Sequence, residues 1–213
     1  MQTKILKLVF AQWQGGDIVA WFKDLKPSEA ARGYVLGAQI LDLMIKQINP
    51  NLDENTAVLS VDLDCKADEN EKRINQDSII DRDILKLQND NALKILQNKK
   101  PRKILVLGGD CAVSVAPFSY LAKIYKDEIA LVWIDAHPDL GFKGNDFYQG
   151  YHAMTLSTIT GDKALQKEFS LPAFIKPQNS LLVGLCSDEA KHYDKRRQSL
   201  GIKAIWGEKN STK

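Results

Sequence analysis

Short apolar runs separated by longer amphipathic stretches constrain this chain more than any other feature. The runs are Ile5–Phe10, Ala57–Leu63, Lys103–Leu107, Ile129–Ile134, Ser180–Leu185 and Lys203–Trp206. Most are nearly continuous in Val, Ile, Leu or Trp, which is the pattern of strands buried on both faces of a parallel sheet. Helical periodicity fills the intervals. Ala31, Val35, Ala38, Leu41 and Ile45 recur three or four apart within Ala30–Ile45. Ile80, Ile84 and Leu87, then Leu93 and Leu96, do so within Ile79–Leu96, with charges between, and Val115–Tyr125 is a shorter case. Strand alternating with helix predicts an α/β fold with helices on both faces of a mostly parallel sheet, hence three layers, α/β/α.

No internal repeat and no shift in composition divides the 213 residues, so one domain over 1–213 is expected. Lys and Arg number 29 against 27 Asp and Glu, a net charge of +2. That balance offers no electrostatic case for nucleic acid or a membrane surface as partner. The N-terminal MQTKILKLVFAQWQGGD is too short in apolar character, and too polar, for a signal peptide or a spanning helix. Cys65, Cys111 and Cys186 are odd in number and widely spaced, which suits free thiols in a reducing compartment. A cytoplasmic protein is expected.

The chemistry concentrates where strands end. In LVWIDAHPD, an apolar run stops at Asp135, with His137 and Asp139 following at alternate positions. An extended chain would put those three on one side, two carboxylates and an imidazole converging on a divalent cation. Mixed Asp and His donors suit Mn²⁺, Fe²⁺ or Zn²⁺ better than Ca²⁺. The same residues would also serve as polar caps of a strand terminus. A second run ends in Gly108-Gly109-Asp110-Cys111, whose paired glycines permit a tight turn and close backbone approach. Its ordinary reading is a strand-to-helix turn capped by Asp110 or Ser114. Third, the glycine-rich loop Gly141–Gly150 leads into Tyr151-His152-Ala153-Met154. His152 could there overhang the metal seat as a proton carrier, or simply open a helix. Ser60-Val61-Asp62-Leu63-Asp64 has an S-x-D-x-D spacing but precedes these segments. His192, in a charged stretch, and the scattered tryptophans carry no comparable signal.

Taken in order, GGDCAVS at Gly108–Ser114, DAHPD at Asp135–Asp139 and YHAM at Tyr151–Met154 resemble the ureohydrolase family of arginase, agmatinase and formiminoglutamase. FAQWQGGD near the N-terminus and Ala31-Arg32-Gly33-Tyr34 look like a bacterial arginase-like branch. The resemblance implies an arginase-like fold. It also implies a hydrolase of guanidino or amidine C–N bonds that uses metal-bound hydroxide at a binuclear Mn²⁺ site. Asp135 would bridge the ions, His137 and Asp139 would each bind one, and Cys111 would occupy a further ligand position. His152 would move protons and Asp110 would orient ligands. A small guanidino compound is the implied substrate, and a trimer or hexamer the implied assembly.

Two departures shape the expectation. Cys111 stands where the family has a histidine ligand, and a thiolate favours softer ions such as Zn²⁺, so one metal or Zn²⁺ is an alternative to two Mn²⁺. The family's later S-x-D-x-D-x-x-D-P motif is not found after Lys203–Trp206. The expectation is therefore a fold shortened before its last strands, with impaired hydrolysis. The alternative is a non-catalytic metal- or small-molecule-binding relative or a remnant. An open sheet edge would then favour self-association or lower stability.

Overall fold

The computed structural model describes residues 5–59, 73–145 and 147–207. Along the chain run β1 (Ile5–Phe10), α1 (Ile18–Trp21), α2 (Pro27–Ile48), β2 (Thr56–Leu59), β3 (Asn75–Gln76), β4 (Ile79–Ile80), α3 (Arg82–Lys99) and β5 (Lys103–Leu107). There follow α4 (Val115–Tyr125), β6 (Leu131–Ile134), α5 (Thr155–Ile159), α6 (Lys163–Phe169), β7 (Ser180–Leu185), α7 (Asp188–His192), α8 (Asp194–Ser199) and β8 (Lys203–Trp206).

The fold is α/β with parallel sheets, as the alternating runs predict. β2-β1-β5 and β6-β7-β8 are each three-stranded and parallel, and β3-β4 is a small antiparallel pair. Around β1 the three layers are complete. Val35, Ala38 and Ile45 of α2 pack on Val9, Ala11 and Leu107. On the opposite face, Ala92, Leu93 and Leu96 of α3 and Ala116 and Tyr120 of α4 pack on Leu6, Leu8 and Phe10.

The second sheet departs from the expected two-sided burial. Leu131 and Trp133 point into a core with Leu156, Ile159, Leu165 and Tyr193. Val132 and Ile134, on the other face by alternation, remain 57% and 80% exposed. Among the described residues no strand ladder joins β5 to β6, so the one expected sheet is two half-sheets.

Helix starts follow local chemistry. α2 opens with Pro27, whose missing N–H costs nothing in the first turn, and the Lys26 N–H donates to Glu29 Oε2 at 2.9 Å. α3 begins at Arg82 rather than at Ile79, because Asp81 has φ 53° and cannot continue a right-handed helix. Its buried residues Leu85, Gln88, Ala92, Leu93 and Leu96 hold the helical spacing.

Candidate metal centre

Loops leaving the carboxyl ends of β1, β5, β6 and β7 meet in one place, the usual location of sites in open α/β folds. The β1 loop is buried from Ala11 through Gln14. Asp110 N–H donates to Gln12 O at 3.0 Å, and Gln12 Nε2 donates to Gln88 Oε1 at 2.7 Å. Arg73 donates to the carbonyls of Gln14 and Gly16 and pairs with Asp81 at 2.8 Å. This lattice presents Gly15 O to the His152 N–H at 2.9 Å and Gly16 N–H to Asp110 Oδ2 at 3.1 Å.

Two glycines make the β5 loop possible. Gly108 and Gly109 have φ of 104° and 79°. A Cβ at Gly109 would lie 2.8 Å from both Phe10 O and Gln12 O. The turn then places Asp110, which accepts from Ala112 N–H at 2.8 Å, and Cys111 beside it. The β6 loop supplies the carboxylates. Asp135 N–H donates to Val183 O at 3.0 Å, and Asp135 Oδ1 accepts from His137 N–H at 2.9 Å. Asp139 sits at φ 48°, and its carbonyl accepts from Leu156 N–H at 3.0 Å and Ser157 N–H at 3.2 Å.

Cys111, Asp135 and Asp139 each bring a ligand atom to within 4.8 Å of the others. Cys111 Sγ stands 3.8 Å from Asp135 Oδ2. Asp139 is 3% exposed, and its Oδ2 has no hydrogen-bond partner. Burial raises the Asp139 carboxyl well above its ordinary value, and the neighbouring Asp135 adds to it. Burial, then the carboxylates of Asp139, Asp135 and Asp110, push the Cys111 thiol up as well. Asp110 is pushed up to about 6 by burial, against the N–H groups of Ala112, Gly16 and Gly15. A buried, unpaired carboxylate oxygen beside a thiol and a second carboxylate is costly until a cation joins them. The donor set therefore fits a divalent cation.

A cavity of about 660 Å³ opens over these donors, lined also by His137, His152 and Glu189. Burial lowers the His152 pKa to about 4; His137 lowers it further and Asp135 opposes. The ring is thus neutral at physiological pH. Burial raises Glu189, whose Oε1 is shielded and lacks a partner. A larger cavity of about 1060 Å³ along α2 is mostly apolar and holds none of these groups.

Of the residues singled out in sequence, Cys111, Asp135 and Asp139 come together and His152 faces the same cavity. His137 stands outside the trio. Its side chain is 52% exposed, with Nδ1 3.5 Å from Asp135 Oδ1. Strand alternation is not what gathers the carboxylates, because β6 ends at Ile134 and the left-handed turn at Asp139 swings that side chain inward. His192 stacks on Phe147 at 4.5 Å. Ser60, Asp62, Asp64 and Cys65 lie outside the described residues. Glu189 went unmarked in sequence, although its polar step just past β7 is a readable signal. Arg73 and Gln88 carried none, since their importance lies in partners 59 and 74 positions away.

Fold and site together define an α/β protein with a thiol–carboxylate centre at the carboxyl ends of parallel strands. The arginase family model matches residues 67–212. Arginase of Staphylococcus aureus strain MRSA252 is 29% identical over 143 residues, 66% of this chain and 46% of that protein. Arginase of Neurospora crassa is 33% identical over 89 residues, 40% of this chain and 25% of that protein. The structure of Entamoeba histolytica arginase in complex with L-ornithine aligns with a TM-score of 0.67 at 17% identity, over 96% of this chain and 64% of that one. Native arginase from Bacillus caldovelox gives 0.65 at 20% identity, over 95% and 63%. These structural likenesses show a shared fold. The chain belongs to the arginase family, and it spans about half the length of the first of these curated relatives.

Proposed function

We propose that this protein is a metal-dependent hydrolase acting on the C–N bond of a small guanidino or amidine compound. The convergence of Cys111, Asp135 and Asp139 in a chain of the arginase family carries the proposal. Those three would hold a divalent cation, and His137 beside Asp135 offers a further imidazole donor. When bound, such an ion acidifies a coordinated water and polarises the bond to be cleaved. His152, neutral above about pH 4, can accept a proton from that water or pass one to the leaving amine. Glu189 Oε1 is a free acceptor for an N–H of a cationic substrate. Asp110 holds the β5 loop that carries Cys111.

Three converging donors are fewer than a binuclear centre uses, so residues 1–213 alone are expected to hold one ion and to turn over slowly. The same donor count favours, as second reading, a member that binds metal without catalysis. A cytoplasmic setting accords with the free thiols of Cys111 and Cys186 and with the finding that no described helix is long and apolar enough to cross a membrane. Self-association, to a trimer or hexamer by resemblance, accords with the uncovered Val132 and Ile134.

Urea release from arginine and agmatine by the purified chain, with Mn²⁺ or Zn²⁺ and with Asp135→Asn as control, tests the hydrolase. Metal-dependent release lost in the variant supports it. Stoichiometric metal binding with no release above that control would sink it in favour of the non-catalytic reading.

A further inference from the structure

We propose that Cys111, Asp135 and Asp139 form a one-ion site that takes Zn²⁺ in preference to Mn²⁺, with the Cys111 sulfur as the selecting donor. The inference rests on the metal-centre reading above and adds the identity of the ion.

Donor chemistry comes first. Thiolates select Zn²⁺ and its softer neighbours, whereas Mn²⁺ prefers carboxylate, carbonyl and water oxygens. Geometry agrees. With Zn–S near 2.3 Å and Zn–O near 2.1 Å, a tetrahedral ion sets sulfur and oxygen about 3.6 Å apart. Cys111 Sγ and Asp135 Oδ2 already stand 3.8 Å apart. The third donor is rigidly built. Asp139 is 3% exposed with an unpartnered Oδ2, and its backbone is fixed to the start of α5 by two hydrogen bonds. Asp135 is likewise fixed, through its N–H on Val183 O and its Oδ1 under His137 N–H. Three protein donors beneath an open cavity of about 660 Å³ leave one position free, the arrangement of a zinc site that admits water or a ligand. The other described thiol, Cys186, belongs to no such cluster among the described residues.

The test uses the chelator-stripped 213-residue protein. Zn²⁺ and Mn²⁺ affinities are measured by competition against a chromogenic chelator, and Co²⁺ serves as the optical probe. The expected results are one Zn²⁺ per chain, Zn²⁺ bound at least about tenfold more tightly than Mn²⁺, and a sulfur-to-cobalt charge-transfer band in the near ultraviolet. Cys111→Ser should abolish that band and weaken Zn²⁺ by about tenfold or more while Mn²⁺ changes less. Cys111→His should narrow the preference for Zn²⁺. Cys65→Ser and Cys186→Ser should each retain the band, which together assign the sulfur to Cys111 even if the Cys111 variants fail to fold. Equal affinity for both ions with no charge-transfer band would overturn the proposal and leave the metal centre standing. No binding of any of the three ions would overturn both.

Discussion

Asp81→Asn probes the buried ion pair that braces the site from behind. Arg73 and Asp81 are both 3% exposed in their side chains. Arg73 donates through Nε and Nη2 to the same Asp81 Oδ2, at 2.9 and 2.8 Å. The guanidinium also lies 4.9 Å over the Trp13 ring and holds the carbonyls of Gln14 and Gly16. Burial raises the Asp81 carboxyl in spite of Arg73, so desolvation of the pair is not fully offset by its attraction. The cost of breaking the pair therefore exceeds its net worth. Removing one partner of a buried pair costs about 3–5 kcal/mol. Asparagine keeps an acceptor oxygen and tolerates the left-handed backbone at this position, and Asp17 Oδ1 remains 3.5 Å from Arg73. Those compensations put the expected loss at the low end, about 3 kcal/mol. With a urea m-value of about 2 kcal/mol/M, the unfolding midpoint should fall by roughly 1.5 M. A double-mutant cycle with Arg73→Met should return a coupling of about 2 kcal/mol or more. A midpoint shift below about 0.5 M, with coupling near zero, would refute the claim that this pair braces the β1 loop.

Other outcomes follow from the same geometry. Asp139→Asn removes a buried carboxylate whose Oδ2 has no hydrogen-bond partner, so it should abolish metal binding and yet stabilise the metal-free protein by about 1 kcal/mol in thermal unfolding; a destabilised apo-protein would contradict this. His152 has its pKa lowered from 6.5 to about 4, so in that window the unfolded chain binds the extra proton. Its contribution to metal-free stability is complete above pH 6.5 and is lost as pH falls towards 4, by up to about 3 kcal/mol. Asp110, raised to about 6, works in the opposite sense: the folded state holds the extra proton, so stability falls as pH rises through that range. The difference between wild type and His152→Gln across the pH series isolates the histidine, and two parallel profiles would rule its burial out as the cause. Gly15→Ala would drive a Cβ into the Asp110 carboxylate. It should cost about 1–3 kcal/mol and weaken metal binding at Cys111, as read by urea midpoint and by metal competition; an unchanged affinity would separate the β1 loop from the site.

Much of the fold was legible in the residues. Ile5–Phe10, Lys103–Leu107, Ser180–Leu185 and Lys203–Trp206 are strands with the bounds their apolar runs suggest. Local burial demand is written locally, as a run of Val, Ile and Leu between glycines and charges. The helix expected from Ile79 failed for a reason outside periodicity, since the left-handed Asp81 cuts it off from the two residues before it. Two-sided burial of β6 was also misread, because Val132 and Ile134 are as apolar as Leu131 and Trp133. Only the layer that does or does not lie across them tells the faces apart.

Sequence alone determined the inventory of this protein: parallel strands joined by helices, a Gly-Gly turn delivering Asp110 and Cys111, a strand ending in two aspartates, and a histidine after a glycine-rich loop. Those are short-range facts, carried by spacing and residue type. Tertiary structure decided which of them meet. It joined Cys111 to Asp135 and Asp139 across 24 and 28 positions (135 − 111 and 139 − 111), left His137 at the rim, and brought Glu189 from beyond β7 into the same cavity. It also revealed that Arg73, unremarkable in its own neighbourhood, holds the loop behind the site. The physical reason is common to these cases. A donor's chemistry belongs to its side chain, but a site is a set of distances, and those are fixed by the turns and buried pairs that close the chain on itself.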